Sequence, residues 1–264
     1  MAEQRRVAVV TGASRGIGQA VAQALLQAGY TVYTLCRSKP ALEGMVYLPC
    51  DLSDSAQIDA CFEEILLREA RIDLLVNNAG MGIAGPLETC ANDDAAYLMQ
   101  INVHACMHCC ARALPAMRQQ GQGRIVFISS LAAKFPIPFQ AYYSASKAAI
   151  QVLAEALRME VRPFGVEVAT LCLGDVHTGF TDHRRKGQED AVYGARMAHS
   201  VAKMEHDERN GLPPQTVARA LMRMLKRRRL PQCRVVGLQY RLFWMLERLL
   251  PRRCVLAIVQ RMYD

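Results

Sequence analysis

Three side chains in the middle of the sequence are suited to moving a single proton. Tyr143 and Lys147 are four positions apart, and Ser130 precedes Tyr143 by thirteen. In a helix, residues four apart lie on one face, so the Lys147 ammonium would sit beside the Tyr143 phenol. A neighbouring cation favours the phenolate, and we expect it to lower the pKa of Tyr143 from its usual value of about 10. The chemistry this indicates is proton transfer at the oxygen of a carbonyl or an alcohol.

A glycine-rich turn near the amino terminus predicts a dinucleotide site. The turn directly follows a Val-rich strand pattern and opens a helical pattern, which is the context that this motif requires. Gly12 allows the tight turn, Gly16 lets the backbone approach a pyrophosphate, and Gly18 permits close packing of the helix on the strand. The cofactor contacts we assign to this turn are Gly12, Ser14, Arg15, Gly16, Ile17 and Gly18.

Short apolar runs alternate with longer amphipathic stretches along the chain. This alternation is typical of βαβ units, in which helices cover both faces of a parallel sheet. The sequence therefore predicts an α/β, doubly wound Rossmann fold, with the ligand at the carboxyl ends of the strands. The seven predicted strands lie near residues 6–11, 31–36, 45–49, 73–77, 123–129, 166–172 and 233–237.

Together, the Tyr143-x-x-x-Lys147 pair, Ser130 and the glycine-rich turn resemble the motifs of the short-chain dehydrogenase/reductase family, over residues 5 to about 180. The resemblance implies a strand order of 3-2-1-4-5-6-7 and hydride transfer between a nicotinamide and a carbonyl or alcohol carbon. It implies that Ser130 and Tyr143 act on the substrate oxygen and that Lys147 also holds the nicotinamide ribose. Asn102 matches the residue of the family that kinks a helix and holds a water behind the Lys.

The resemblance assigns further cofactor contacts to the ends of the strands. The segment from Leu173 to Thr178 is similar to the family's P-G-x-V-x-T, but Leu173 replaces the Pro and Asp175 brings a charge near the site. His177, in the same segment, is either a polar residue at the substrate mouth or, as we favour, an ordinary loop histidine. Tyr143 and Lys147 also count as cofactor contacts, and the remaining ones are Asp51, Leu52, Asn78, Ala79, Gly80, Val176 and Thr178.

The end of the second predicted strand indicates which coenzyme is used. An NAD site usually presents a carboxylate there, whereas this chain has Thr34-Leu-Cys36-Arg37. Arg37 and Arg15 are suited to a 2′-phosphate, because a planar guanidinium matches its charge and acceptor oxygens. The alternative is that both are solvated surface arginines. We predict NADP(H).

The net charge of +8 is concentrated at the carboxyl end. From Arg219 to Asp264 there are twelve Arg or Lys against two acidic residues, which leaves the preceding residues slightly acidic. Lys226–Arg229 ends a helical pattern without an aromatic stacking platform, so we expect no nucleic-acid partner. The apolar segments within 238–264 are too short to span a bilayer. A cover packed over the active-site side, a subunit interface and peripheral contact with an anionic membrane remain open for them.

Composition fits a single domain over residues 1–264, without a linker or an internal repeat. No signal or transit peptide is indicated, and we expect a cytoplasmic protein with reduced cysteines. The segment from His104 to Cys110 has the residue types of a metal site but lies in an apolar helical pattern, so we predict no metal there.

Substrate selection is expected from the variable segment 179–212, which by resemblance is a mobile loop and helix that closes over the substrate. The walls predicted at 81–87 and 135–139 are apolar and suit a lipophilic ketone or alcohol. The segments M-G-I-A-G-P-L-E and V-H-T-G-F are similar to those of hydroxysteroid and retinol dehydrogenases. The alternatives are a 3-oxoacyl-thioester reductase, whose acidic carrier or CoA would meet the basic tail, and a catalytically idle nucleotide-binding scaffold or sensor. We expect a homodimer or homotetramer.

Overall fold

The computed structural model describes residues 5–187 and 192–263. Its strands pair in two parallel sheets, a large one of seven strands and a small one of two. In chain order the strands are β1 (Val7–Thr11), β2 (Thr31–Cys36), β3 (Val46–Pro49), β4 (Leu74–Asn77), β5 (Ile83–Ala84), β6 (Gly123–Ser130), β7 (Val166–Leu173), β8 (Arg185–Lys186) and β9 (Cys233–Val235).

The order across the large sheet is β3-β2-β1-β4-β6-β7-β9. Counting only these seven strands along the chain, the order is 3-2-1-4-5-6-7, so the predicted doubly wound fold is confirmed. The predicted strand ends agree with the structure to within two residues. The small sheet, β5 with β8, was not predicted, because two residues are too few to show an alternating pattern.

Helices cover both faces of the large sheet, because alternate side chains of each strand point to opposite faces. Val7 and Val9 of β1 join one core cluster, whereas Ala8 and Val10 join the other. The helices are α1 (Gly16–Gln27), α2 (Ser55–Glu69), α3 (Asn92–Met99), α4 (Ala105–Gln120), α5 (Ala141–Val161), α6 (Gly194–Arg209), α7 (Pro214–Leu225), α8 (Leu238–Leu246) and α9 (Arg252–Tyr263).

Helix α2 packs on one face of the sheet together with α4 and α5, through side chains such as Phe62, Met117 and Ile150. Helices α1 and α7 pack on the other face through Leu25 and Leu221. The helices on the two faces leave the carboxyl ends of the strands uncovered, so that a binding site can form there.

The segment predicted as a variable loop and helix contains α6, and residues 188–191 lie outside the described part of the chain. Met197, Val201 and Met204 form the buried stripe of α6, and they pack with Val259 and Tyr263 of α9. Within residues 5–187 and 192–263, no helix is both long enough and apolar enough to cross a membrane.

Candidate active site

Ser130 reaches the site because it is the last residue of β6. It pairs in register with Leu173, the last residue of the neighbouring strand β7, so the two strands deliver their following residues to the same edge of the sheet. The Ser130 hydroxyl accepts a hydrogen bond from the backbone N–H of Ala132 at 3.1 Å. This bond fixes the turn after β6, and the hydroxyl also hydrogen-bonds to Tyr143.

Tyr143 and Lys147 lie one turn apart on α5 and face this edge. The Lys147 Nζ is 5.7 Å from the centre of the Tyr143 ring. It donates a hydrogen bond to the carbonyl oxygen of Ile128 at 3.1 Å and is buried. The predicted juxtaposition of phenol, ammonium and Ser130 hydroxyl is therefore present in the structure.

The pKa of Tyr143 differs from the expectation from sequence. Burial raises it to about 12, although the hydrogen bond with Ser130 acts in the opposite direction. Burial also lowers the pKa of Lys147. The two shifts have the same cause, because a low-dielectric environment disfavours the charged form of each group. The lowering of the Tyr143 pKa that we expected from Lys147 is therefore wrong: desolvation by burial outweighs the groups that lower this pKa, which are Ser130 and Arg184.

Asn102 lies behind Lys147 and does not line the main cavity. It belongs to a π-helical turn, Gln100–His104, that interrupts the run from α3 into α4. Its amide oxygen accepts from the backbone N–H of Met81 at 2.8 Å, and its amide nitrogen donates to the Met81 carbonyl and to Ser146 Oγ at 2.9 and 3.0 Å. A Cβ at Gly80 would lie 3.2 Å from Asn102 Oδ1 and 3.5 Å from Lys147 Nζ. The Asn102 side chain therefore holds the loop after β4 against α5.

The glycine-rich turn has the shape that a pyrophosphate requires. Gly12 and Gly16 have φ values of +69° and +58°, which other residues rarely adopt. A Cβ at Gly18 would lie 2.3 Å from the Gly12 carbonyl oxygen, so only glycine allows α1 to start this close to the turn. The first turn of α1 has no side-chain cap and no acidic residue, so its free N–H groups are available to a phosphate.

Asn78 and Thr11 join the glycine-rich turn to the end of β4. The Asn78 amide donates to the carbonyl oxygens of Thr11 and Gly12 at 2.9 and 3.1 Å. The Thr11 hydroxyl accepts from the backbone N–H groups of Asn78 and Ala79, both at 3.0 Å. The turn is thereby held rigidly over the sheet.

The adenosine end of the site presents two guanidinium groups. Arg15 and Arg37 both line the cavity, and Arg37 follows β2 without a carboxylate beside it. Asp51 also lines the cavity, and its pKa is lowered chiefly because it accepts a hydrogen bond from the backbone N–H of Ser53. His183, which no sequence motif had singled out, lies 2.8 Å from Arg15 (Nε2 to Nη1). It holds Arg15 at the cavity.

One continuous cavity of about 1080 Å³ contains the whole arrangement. Every predicted cofactor contact lines it, together with Ser130. A cavity of this size, a glycine cradle and a free helix N-terminus fit a bound dinucleotide.

The far end of the cavity is apolar. Of the two predicted wall segments, Met81 and Gly82 contribute from the first, and Phe135 and Ile137 from the second. Phe180 packs against the Tyr143 ring, with centroids 5.8 Å apart. A further wall comes from α8, α9 and the turn between them, in line with the alternative that this segment packs over the active-site side. The residues that form it are Phe243, Leu250, Val255, Ile258, Val259, Met262 and Tyr263.

Asp175 places a carboxylate in the cavity, two residues beyond β7. The Tyr240 hydroxyl donates to its Oδ2 at 3.0 Å and accepts from its backbone N–H at 3.0 Å. Burial raises the pKa of Asp175, and no Lys or Arg in the described part of the chain forms an ion pair with it. Glu208, also at the cavity, is paired with Arg184 instead. Asp175 is thus a half-buried carboxylate with one neutral partner.

The histidine and cysteine segment of α4 lies away from this site. Cys106, Cys109 and Cys110 are buried in the core, and His108 pairs with Asp59 at 2.6 Å. Over residues 5–187 and 192–263, no group of three or more His, Cys, Asp or Glu side chains is arranged to hold a metal ion. His177 is exposed and does not line the cavity.

Comparison with known proteins agrees with this geometry. A family model described as short chain dehydrogenase matches residues 6–189. The 3-ketodihydrosphingosine reductase of Bacteroides thetaiotaomicron is 35% identical over 238 residues, which cover 89% of this chain and 88% of that protein. The 17-beta-hydroxysteroid dehydrogenase type 1 of Homo sapiens is 32% identical over 196 residues, which cover 67% of this chain and 59% of that protein.

Solved structures share the fold along most of the chain. A short chain dehydrogenase/reductase from Burkholderia phymatum in complex with NAD has a TM-score of 0.78 at 27% identity, covering 88% of this chain and 90% of that one. A metagenomic short-chain oxidoreductase in complex with NADP has a TM-score of 0.71 at 29% identity, covering 88% and 96%. With its parallel sheet, its glycine-rich turn and its Ser130, Tyr143 and Lys147 at one edge, the chain belongs to the short-chain dehydrogenase family of oxidoreductases, which use a nicotinamide coenzyme.

Proposed function

We propose that the protein is an NADP(H)-dependent reductase that converts a ketone on a long, lipophilic molecule into a secondary alcohol. The observation that carries this proposal is the continuity of the cavity: a polar coenzyme half leads past Ser130 and Tyr143 into an apolar half walled by α8 and α9. An apolar chain in that half would remain shielded from water while its polar end meets the hydroxyls.

The coenzyme preference is supported by the two arginines at the adenosine end. Arg15 and Arg37 present guanidinium groups where a 2′-phosphate would lie, and the acidic residue typical of NAD sites is missing after β2. His183 supports this role, because it limits the directions in which Arg15 can point.

When bound, the nicotinamide supplies the hydride to the carbonyl carbon. The hydroxyls of Ser130 and Tyr143 would donate hydrogen bonds to the carbonyl oxygen and stabilise the negative charge that builds on it. Because the pKa of Tyr143 is raised to about 12, the phenol is protonated near neutral pH and its Oη proton is available for the oxygen. Lys147 would orient the ribose through its ammonium, and Phe180 excludes water from the phenol by packing on it.

Asp175 favours a substrate with a positive charge beside the ketone. Asp175 lies just after β7, the strand that pairs with the strand ending in Ser130, and its carboxylate lines the cavity. It forms no ion pair with a Lys or Arg among residues 5–187 and 192–263, and Lys203 is paired with Asp207 instead. An ammonium group bound there would form a charge-assisted hydrogen bond in a partly buried setting. A long-chain α-amino ketone has an apolar chain for the apolar half of the cavity and a positive charge for Asp175. The similarity to a 3-ketodihydrosphingosine reductase supports this choice.

A panel assay tests the proposal. The oxidation of NADPH is followed with three substrates of matched chain length: an α-amino ketone, a neutral ketone and a 3-oxoacyl thioester. We expect the amino ketone to give the highest kcat/KM and NADPH to be preferred over NADH. A preference for the thioester would replace our proposal with a thioester reductase that uses the basic carboxyl end. No turnover of any substrate, despite coenzyme binding, would instead indicate an idle nucleotide-binding protein.

A further inference from the structure

Several large apolar side chains on the C-terminal helices face solvent instead of the core. Leu238, Leu242 and Met245 on α8 are 83%, 60% and 64% exposed, and Leu249, just after the helix, is 78% exposed. The spacings of four and three residues place the first three on one face of α8. With the exposed side chains of the turn and of α9, they form what we call the C-terminal apolar surface: Leu238, Leu242, Phe243, Met245, Leu249, Leu250, Leu256, Ile258 and Met262.

The opposite faces of the same helices are packed. Tyr240 of α8 is buried against β7 and β9, and Trp244 lies 4.3 Å below the Lys134 ammonium. On α9, Val259 and Tyr263 are buried against α6. The two helices are therefore anchored through one face and present the other face without a partner in the described part of the chain. If α8 served only as a packed cover, Leu238 and Leu242 would be buried, yet both are exposed.

Basic side chains accompany this surface. Arg248, Arg253 and Arg261 are exposed, and none forms an ion pair within the described residues. Glu247, the acidic residue between α8 and α9, is already engaged by Lys134 at 3.0 Å. The combination of exposed leucines and unpaired arginines is complementary to the interface of a bilayer that contains anionic lipid.

The cavity opens within this surface. Phe243, Leu250, Ile258 and Met262 line the cavity and are at the same time 38% to 48% exposed. If lipid covered the C-terminal apolar surface, it would therefore adjoin the opening of the apolar half of the cavity.

We infer that the C-terminal apolar surface docks the protein peripherally and reversibly on anionic membranes. A second copy of the chain is a less suitable partner for this surface, because a two-fold interface would bring the same arginines of both copies together. Anionic headgroups would instead pair with them. The docking is independent of the proposed function, whereas delivery of a lipophilic ketone from the membrane to Tyr143 rests on it.

Co-sedimentation with vesicles tests the inference on the full chain. Vesicles of equal parts phosphatidylglycerol and phosphatidylcholine are compared with vesicles of phosphatidylcholine alone, at low salt and at ~1 M salt, where the Debye length is about 3 Å. We expect binding to the mixed vesicles at low salt, weak binding to the neutral ones, and at least about a tenfold lower apparent affinity for the mixed ones at high salt.

Two sets of substitutions distinguish the effect of the arginines near the C-terminal apolar surface on vesicle binding from the effect of the net charge of the protein. Arg248→Ser, Arg253→Ser and Arg261→Ser together should reduce binding to the mixed vesicles about tenfold or more. The matched control is Lys226→Ser, Arg228→Ser and Arg229→Ser, which removes the same charge after α7. That region lies at the opposite edge of the sheet, because Arg124 at the start of β6 donates to the Arg227 carbonyl at 2.9 Å. The control should bind nearly as the unmodified protein does.

A third variant tests the apolar contribution. Leu242→Ser, Met245→Ser and Leu249→Ser change exposed side chains outside the cavity lining, so they should leave the unfolding temperature unchanged and weaken vesicle binding. Absence of sedimentation at low salt, or equal losses from the two arginine sets, would overturn the inference. So would a dimer in solution that this third variant dissociates, because the surface would then be an interface between two copies.

Discussion

The hydroxyl of Tyr240 on α8 holds Asp175 at the end of β7, through one hydrogen bond to the carboxylate and one from the backbone N–H, both 3.0 Å long. The contact requires Gly174, because a Cβ there would lie 2.3 Å from the Tyr240 ring. The C-terminal region thereby sets the position of a charged group in the cavity.

Replacement of Asp175 by Asn should reduce kcat/KM for a long-chain α-amino ketone by about tenfold, equivalent to ~1.4 kcal/mol. The value for a neutral ketone of equal length should change little, because Asn keeps the shape and can still bond to Tyr240. Steady-state kinetics with both ketones measure the difference. Equal losses for the two would show that Asp175 acts on the loop and not on substrate charge.

The substitution Tyr143→Phe removes only the hydroxyl that carries the transferable proton. We expect turnover to fall by roughly 10²- to 10⁴-fold, while coenzyme affinity stays close to that of the unmodified enzyme. Lys147→Ala should reduce both, since the ammonium is also expected to hold the ribose. Turnover and coenzyme titration by fluorescence give the two readouts. Near-normal rates for the Phe variant would rule out the mechanism.

The direction of catalysis should depend on pH because the pKa of Tyr143 is raised to about 12. Ketone reduction needs the protonated phenol, which is the main form below that pKa, so its kcat/KM should be nearly flat from about pH 6 to about pH 9 with respect to Tyr143. Alcohol oxidation needs the phenolate, so its kcat/KM should rise as the pH rises toward the pKa. An oxidation rate already level at about pH 8 would show that bound coenzyme lowers the pKa substantially.

Coenzyme choice should follow the two arginines. Arg37→Asp places a carboxylate against the 2′-phosphate and should weaken NADPH by roughly 10- to 100-fold, with little effect on NADH. Arg37→Gln is the matched control, since it removes the charge without repulsion and should have a smaller effect. Dissociation constants for both coenzymes report this. Tighter binding of NADH than of NADPH by the unmodified protein would contradict the assignment.

Cys233 should be an unusually reactive thiol. It lies 3.1 Å from Cys172 on the neighbouring strand, and the hydrogen bond from that thiol lowers the pKa of Cys233 to about 7. At about pH 7.5, iodoacetamide should label Cys233 faster than Cys90, whose pKa is raised by burial. Peptide mass spectrometry measures both rates.

The variant Cys172→Ala removes the donor and should slow the labelling of Cys233, whereas Cys172→Ser keeps a donor and should slow it less. Faster labelling of Cys90 than of Cys233 in the unmodified protein would contradict the lowered pKa of Cys233.

The large sheet could be predicted from sequence because its signals are local. The residues of β1, like those of β7, form apolar runs that are fully or almost fully buried, and the glycine-rich turn follows β1 directly. The strand ends then determine where Ser130 and Asp175 lie, since all strands are parallel. The fold and the polar half of the site thus follow from short segments.

The rest depends on contacts between distant segments. The pKa of Tyr143 is set by its burial, which no spacing reveals. His183 meets Arg15 from 168 positions away, and Tyr240 meets Asp175 from 65 positions away. The charge on Asp175 was visible in the sequence, but its partner was not. In the proposed function, these contacts would hold Arg15 and Asp175 where coenzyme and substrate are selected.

Helices α8 and α9 supply the apolar wall of the cavity from a single stretch at the end of the chain, whereas Gly12 to Lys147 supply most of the coenzyme half. We therefore expect substrate range and coenzyme use to be encoded largely in separable parts of the gene. A recombinant that exchanges only residues 238–264 with a relative should acquire a different substrate range while retaining its coenzyme. Divergence within the family can then proceed by replacing one terminal segment without rebuilding the catalytic edge of the sheet.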